Sequence, residues 1–112
     1  MPVKALTPIL NVSNIRASQA WFEKLGWKAG FTWPDGDAEP GFGAVCVEHG
    51  PEIFLCRGAQ GSRGTIMPKT PGDDETDGVW MSWFLGSPAE VDALHQIALD
   101  AGYIVTYPPT DE

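Results

Sequence analysis

The stretch Val79 to Tyr103, VWMSWFLGSPAEVDALHQIALDAGY, has the residue pattern of a strand, a turn and a helix. Other segments of the chain are predicted by comparison with this one. Val79 to Leu85 is a short run of aromatic and aliphatic residues, which favours a strand over a helix of the same length. Ser87 and Glu90 then form a capping-box pattern, which starts a helix. Gly102 supplies the left-handed residue that ends this helix.

The same order of elements occurs near the N-terminus. Ala5 to Val12 is an apolar run, Ser13 or Asn14 caps the helix that follows, and Gly26 ends this helix before Trp27 begins a strand. A strand and helix alone cannot bury both of their apolar faces. We therefore predict two similar modules that share one core, in an α+β fold.

The segment between these units is predicted to complete the first module. Strands are expected over Trp27–Trp33, Phe42–Glu48 and Ile53–Arg57, with a turn at His49–Pro51. Gly58 to Gly78 is long, polar and rich in glycine, proline and acidic residues, which favours a linker between modules over a functional flap.

These boundaries predict a single domain over 1–112, with a first module over 1–57, a linker over 58–78 and a second module over 79–112. A further strand is expected over Tyr103–Tyr107, followed by Pro108 and Pro109. The second module then lacks the final hairpin that internal symmetry requires. We expect either a tail beyond this sequence or a partner that covers the sheet edge, because open edges promote aggregation.

Composition limits the classes of partner. The net charge of −8, with only 7 Lys and Arg among 112 residues, argues against nucleic-acid binding, which needs cations at the phosphates. An acidic surface serves solubility in most proteins and also suits a basic ligand. No run approaches the ~20 apolar residues of a membrane helix, so no membrane segment and a cytoplasmic location are expected. Cys46 and Cys56 are expected to be reduced thiols.

Several segments resemble the vicinal oxygen chelate superfamily, which includes glyoxalase I, extradiol dioxygenases and bleomycin-resistance proteins. The segments that carry the resemblance are Pro8–Leu10, Ala20–Trp27, Phe42–Val45, Ile53–Leu55 and Trp83–Gly86, and the last three look most like the bleomycin-resistance branch. The resemblance implies paired βαβββ modules and a homodimer whose curved sheets enclose grooves. It also implies that Pro8 is a hinge at which the first strand is exchanged between subunits.

The enzymes of this superfamily hold a divalent metal with His, Gln or Glu side chains. The matching positions in this sequence are Thr7, Leu55 and Val79, and the fourth would fall in the missing hairpin. None of the three side chains suits such a cation, which needs imidazole, carboxylate or amide ligands. His49 in a turn and His95 on a helix are expected to lie away from the groove. We therefore predict no metal, no cofactor and no catalytic residue.

Apolar and aromatic side chains remain to line the groove. We predict as ligand-binding residues Trp83, Met81, Phe42, Leu55, Ile53, Trp33, Thr7 and Val79. Flat aromatic rings recognise planar or cationic groups by stacking and cation–π contacts. Core packing of these same side chains is the alternative. The remaining large aromatics are assigned to the core: Trp21, Phe22, Trp80, Phe54 and Phe84.

The sequence thus favours an antibiotic-binding resistance protein that sequesters a planar natural product, with or without a cationic group, and does not alter it. The groove is expected at a homodimer interface. One alternative is a metal-dependent lyase or dioxygenase of the same superfamily. The other is an interaction module that binds no small ligand.

Overall fold

The computed structural model describes residues 2–34, 36, 38–59, 81–105 and 108–109. The secondary-structure elements are β1 (Ile9–Asn11), α1 (Ile15–Glu23), β2 (Lys28–Trp33), β3 (Phe42–Cys46), β4 (Glu52–Cys56) and α2 (Pro88–Asp100). The α+β class is therefore confirmed, with a four-stranded mixed sheet and two helices.

The sheet has the strand order β1-β4-β3-β2. β1 runs parallel to β4, whereas β3 is antiparallel to both of its neighbours. The β3–β4 turn contains His49, whose φ of 56° lies in the left-handed region, and the predicted hairpin is confirmed. In this register Cys46 lies opposite Glu52 and Cys56 lies opposite Phe42, so the two free thiols are at opposite ends of the hairpin.

Helix α1 covers one face of the sheet and forms the core with it. Ile15 and Phe22 on the helix pack against Val45, Ile53 and Leu55, all of which are buried. Because side chains alternate along a strand, Val45 on β3 and Ile53 and Leu55 on β4 share the face under the helix.

Both helices begin at the residues that the sequence indicated. The Asn14 side-chain oxygen accepts a hydrogen bond from the Ala17 amide at 2.9 Å, which selects Asn14 over Ser13 as the cap. The Ser87 hydroxyl accepts one from the Glu90 amide at 3.3 Å. These side chains satisfy amides that the first turn of a helix leaves without partners.

Both helices also end in the same way, with the hydrogen bonds of a Schellman motif around a glycine of positive φ. After α1, the Gly26 amide donates to the Glu23 carbonyl at 3.1 Å and the Trp27 amide donates to the Phe22 carbonyl at 3.2 Å. After α2, Gly102 donates to Leu99 at 3.0 Å and Tyr103 donates to Ala98 at 2.9 Å. The predicted repeat of glycine followed by an aromatic residue therefore has a common backbone structure.

Two predicted strands are wrong in the parts that the structure describes. Met81–Leu85 and Tyr103–Val105 form neither strand nor helix. Apolar composition favours an extended segment, but a strand also needs a neighbour to complete its backbone hydrogen bonds. Val79, Trp80 and nearly all of the predicted linker lie outside the described residues. The pairing of two modules stays a prediction.

The core assignments hold for only some of the aromatic residues. Phe22 is buried and Phe54 is half-buried. Trp21 keeps 43% of its surface exposed and Phe84 keeps 94%, so both assignments to the core are wrong. The reason for Phe84 is that the segment around it does not enter the sheet, so alternation along a strand does not turn its ring inward.

Among the described residues, neither helix has the length and apolar character needed to cross a bilayer.

Candidate functional site

A pocket of about 640 Å³ lies on the α1 side of the molecule, beside the β3–β4 turn. One wall comes from the N-terminal segment, the end of α1 and the β3–β4 hairpin, and the other comes from Met81–Leu85 and α2. Its lining residues are Leu6, Pro8, Leu25, Gly26, Trp27, Val47, Pro51, Glu52, Ile53, Met81, Ser82, Trp83, Phe84, Leu85 and Leu94. We call it the Trp83 pocket.

Three aromatic rings form the inner part of this pocket and its support. The centroid of the Trp83 ring lies 5.2 Å from that of Trp27 and 5.9 Å from that of Phe22. Trp27 itself packs edge-on against Phe22 at 5.5 Å. The Schellman motif explains the contact between Trp27 and Phe22, because it brings the residue after the glycine back against the last turn of its own helix. Trp83 is thereby held by rings from the α1 side of the pocket.

The pocket lining is mainly apolar. Ser82 and Glu52 provide the polar side chains among the described lining residues, which include no Lys, Arg or His. Ile53 is buried at the base, whereas Leu6 and Phe84 are largely exposed at the rim. The pocket is thus an open apolar cleft with one carboxylate at its edge, and it suits a ligand that has large apolar faces and no anionic group.

The structure brings several of the predicted ligand residues together in this pocket. Trp83, Met81 and Ile53 all line it, and so does Pro8. Thr7 is half-buried and lies in sequence between the lining residues Leu6 and Pro8. The role of Pro8 in strand exchange stays a prediction. The Pro8 carbonyl accepts a hydrogen bond from the Phe54 amide at 2.9 Å, next to the pairing of β1 with β4 in the same chain.

Leu55 does not reach the pocket. It is completely buried between the sheet and α1, with no exposed surface for a ligand. The register pairs it with Gly43 on β3, directly under Ile15. The expectation that Leu55 lines a groove is therefore wrong, because Leu55 lies on the face of β4 that α1 covers. Val79 lies outside the described residues.

Phe42 and Trp33 lie on the opposite face of the sheet. They are paired across β2 and β3, and alternation places both on the face that α1 does not cover. Phe42 packs there with Phe31 and Phe54, with ring centroids 5.3 to 5.8 Å apart. We call these three phenylalanines, with Trp33, the aromatic face. The expectation that Phe42 and Trp33 share one wall with Ile53 is therefore corrected.

Sequence reasoning missed Trp27 and Leu94 in the pocket and Phe31 on the aromatic face. For Trp27 a signal existed, because it follows Gly26 at the end of a helix, where a hydrophobic contact back to the helix is common. For Phe31 a signal also existed, because it lies two positions before Trp33 on the same strand, and alternation places both rings on one face.

The His, Cys, Asp and Glu side chains do not form a metal site within the part of the chain that is described. No set of three or more His, Cys, Asp and Glu side chains converges there. The His49 side chain is almost fully exposed beside Glu48, at 3.7 Å between Nε2 and Oε1. His95 is half-buried on α2.

No protein-family model matches this chain, and no curated protein or solved structure matches it significantly.

Proposed function

We propose that this protein binds a planar aromatic small molecule in the Trp83 pocket and sequesters it without chemical change, in the manner of a drug-binding resistance protein. The observation that carries the proposal is the pocket itself. Its volume of about 640 Å³ falls within the range of about 300–1,000 Å³ that drug-sized ligands occupy. Its aromatic and aliphatic lining supplies stacking faces.

The expected affinity follows from the size of such a ligand. A planar molecule of about 25 non-hydrogen atoms, at about −0.3 kcal/mol per atom, binds with about −7.5 kcal/mol, which is a Kd of a few micromolar. Trp83 and Trp27 offer ring faces for offset stacking, and Met81 can adapt to different ring shapes. Several ring systems should therefore bind with similar affinities.

The resemblance implies a homodimer built from paired βαβββ modules, and we propose a subunit contact on the aromatic face, which lies across the sheet from the Trp83 pocket. The aromatic face supports it: Trp33 is 69% exposed and its neighbour Phe31 is half-exposed, so a partner would bury apolar surface there. Sedimentation analysis of the parent and of Trp33→Ser tests this part. A dissociation constant of about 100 micromolar corresponds to only about −5.5 kcal/mol of binding free energy, so a parent that stays monomeric at that concentration contradicts it.

The central experiment is a tryptophan-fluorescence titration with ethidium, acridine orange, Nile red and a glycopeptide antibiotic. Trp83→Ala removes the ring inside the pocket, and Trp33→Ala removes a ring on the opposite face as the matched control. We expect Trp83→Ala to lose at least tenfold in affinity, about 1.4 kcal/mol, and Trp33→Ala to bind like the parent. Met81→Ala, which removes a lining residue outside the ring cluster, provides a second and milder variant.

Three results would contradict the proposal. If Trp83→Ala folds, by circular dichroism, and binds every probe as tightly as the parent, the pocket is not the site. If the ligand is recovered chemically altered in the presence of a stoichiometric divalent metal, the metal-dependent enzyme is the better explanation. If no probe changes the tryptophan fluorescence, the interaction module without a ligand is favoured.

A further inference from the structure

The wall of the Trp83 pocket that comes from residues 81–105 is attached to the rest of the protein through few side chains. No residue of α2 is buried. Trp83 provides one attachment, by its ring contacts with Phe22 and Trp27 inside the pocket. A second attachment lies at the other end of α2, outside the pocket, and consists of Tyr103.

Tyr103 contacts α1 in two ways. Its ring stacks on that of Trp21, with centroids 4.8 Å apart and planes 13° apart. Its hydroxyl donates a hydrogen bond to the Trp21 backbone carbonyl at 2.7 Å. Trp21 lies in the last turn of α1, where carbonyls lack partners inside the helix, and the Leu25 amide donates to Phe22 instead. Tyr103 therefore satisfies a carbonyl at the C-terminal end of α1.

The two Schellman motifs explain why Tyr103 reaches the other helix. In α1 the motif brings Trp27 back to Phe22, a large ring on the same helix. In α2 the residue at the equivalent position is Ala98, whose methyl group offers little surface to an aromatic ring. The Tyr103 ring packs instead on Trp21. The same backbone motif thus makes a contact within one helix and a contact between helices.

We propose that Tyr103 is a positioning residue for the Trp83 pocket: its contact with Trp21 holds α2 and Met81–Leu85 in place as the second wall. Met81–Leu85 continues through Gly86 into the Ser87 cap that begins α2, so an attachment at one end of the helix acts on the segment at the other. Tyr103 is not a lining residue of the pocket. A change in affinity on its substitution therefore reports the position of the wall rather than a lost ligand contact.

The experiment compares Tyr103→Phe, which removes only the hydroxyl, with Tyr103→Leu, which also removes the stacked ring. Ile104→Ala is the matched control, because Ile104 is the next residue and is 64% exposed. The effect on ligand affinity rests on the proposed function, so two quantities are measured. One is the affinity and dissociation rate of acridine orange, and the other is the amide hydrogen exchange of the protein without ligand.

We expect Tyr103→Phe to weaken acridine orange binding about threefold and Tyr103→Leu about tenfold or more, mainly through faster dissociation. The amides of residues 89–100 in α2 should exchange faster in both variants, whereas those of Phe42–Cys46 and Glu52–Cys56 should keep their protection. A purely global loss of stability would accelerate exchange in all three segments. Should Tyr103→Leu not fold, Tyr103→Phe still tests the hydrogen bond, since its ring is retained.

Binding by both Tyr103 variants that equals that of Ile104→Ala would overturn the inference while leaving the proposed function intact. Unchanged exchange in α2 would overturn it as well. If the parent does not bind acridine orange or any other probe, the proposed function fails instead. In that case the exchange measurement alone decides whether Tyr103 holds α2 on α1.

Discussion

Replacing Gly43 with alanine should destabilise the protein, because α1 packs directly against β3 at this residue. A Cβ atom at Gly43 would lie 2.6 Å from Cγ2 of Ile15 and 3.0 Å from the Phe31 carbonyl oxygen. Carbon atoms pack at about 3.5–4.0 Å, so the helix or the strand must move by about 1 Å. Overpacking of this kind costs about 1–3 kcal/mol, and the reduced freedom of the unfolded chain offsets about 0.4–1 kcal/mol of it.

The net loss of about 1–2 kcal/mol can be measured by urea unfolding followed by tryptophan fluorescence. Gly41→Ala is the matched control, because a Cβ there meets no atom within 4 Å and Gly41 has no positive φ. It should be neutral or slightly stabilising. Adding Ile15→Leu, which removes the Cγ2 branch, should restore part of the stability of Gly43→Ala. If Gly43→Ala and Gly41→Ala unfold at the same urea concentration, α1 does not pack on β3 as described.

Three further substitutions test other parts of the structure. Gln19→Leu should cost about 1–3 kcal/mol of unfolding free energy, because the buried Gln19 side-chain amide donates to the Ala44 carbonyl at 2.9 Å and to the Phe31 carbonyl at 3.3 Å, and leucine replaces neither hydrogen bond; an unchanged urea midpoint would contradict this. Leu55→Ala should lower the free energy of unfolding by about 2–5 kcal/mol through the cavity it leaves. The folded variant should still bind acridine orange as the parent does, and weaker binding by fully folded protein would show that Leu55 contacts the ligand. Ser87→Ala should remove about 1 kcal/mol of helix stabilisation by the cap, and the first amide hydrogens of α2 should then exchange faster than in the parent. Equal exchange rates in variant and parent would show that the cap is dispensable.

The sequence was most informative where one residue type has one structural use. The sequence predicted the helix caps at Asn14 and Ser87 and the glycines that end both helices. Only a few residue types can accept a hydrogen bond from an amide in the first turn of a helix, and few adopt a positive φ at low cost. The β3–β4 hairpin was also predicted from the sequence, because two apolar runs flank a short turn that contains His49 and Gly50. These features depend on interactions between residues close in sequence.

The candidate site was predictable only in part. Met81, Trp83 and Ile53 do line one pocket, but Phe42 and Trp33 lie on the other face of the sheet, and Leu55 is enclosed by α1. Alternation holds along β3 and β4. It does not say how neighbouring strands align or which of the two faces a helix will cover, so residues from both faces were assigned to a single wall.

The sequence by itself determined the class of fold, the positions of the helix ends and the repeated glycine-aromatic stop, because these follow from local backbone geometry and hydrogen bonding. Tertiary structure alone decided which sheet face became the core, and it left Met81–Leu85 outside the sheet that the described residues form. It also directed Trp27 to its own helix and Tyr103 to the neighbouring one. The physical reason is that side chains distant in sequence compete for the same apolar surface, and only their three-dimensional arrangement settles that competition.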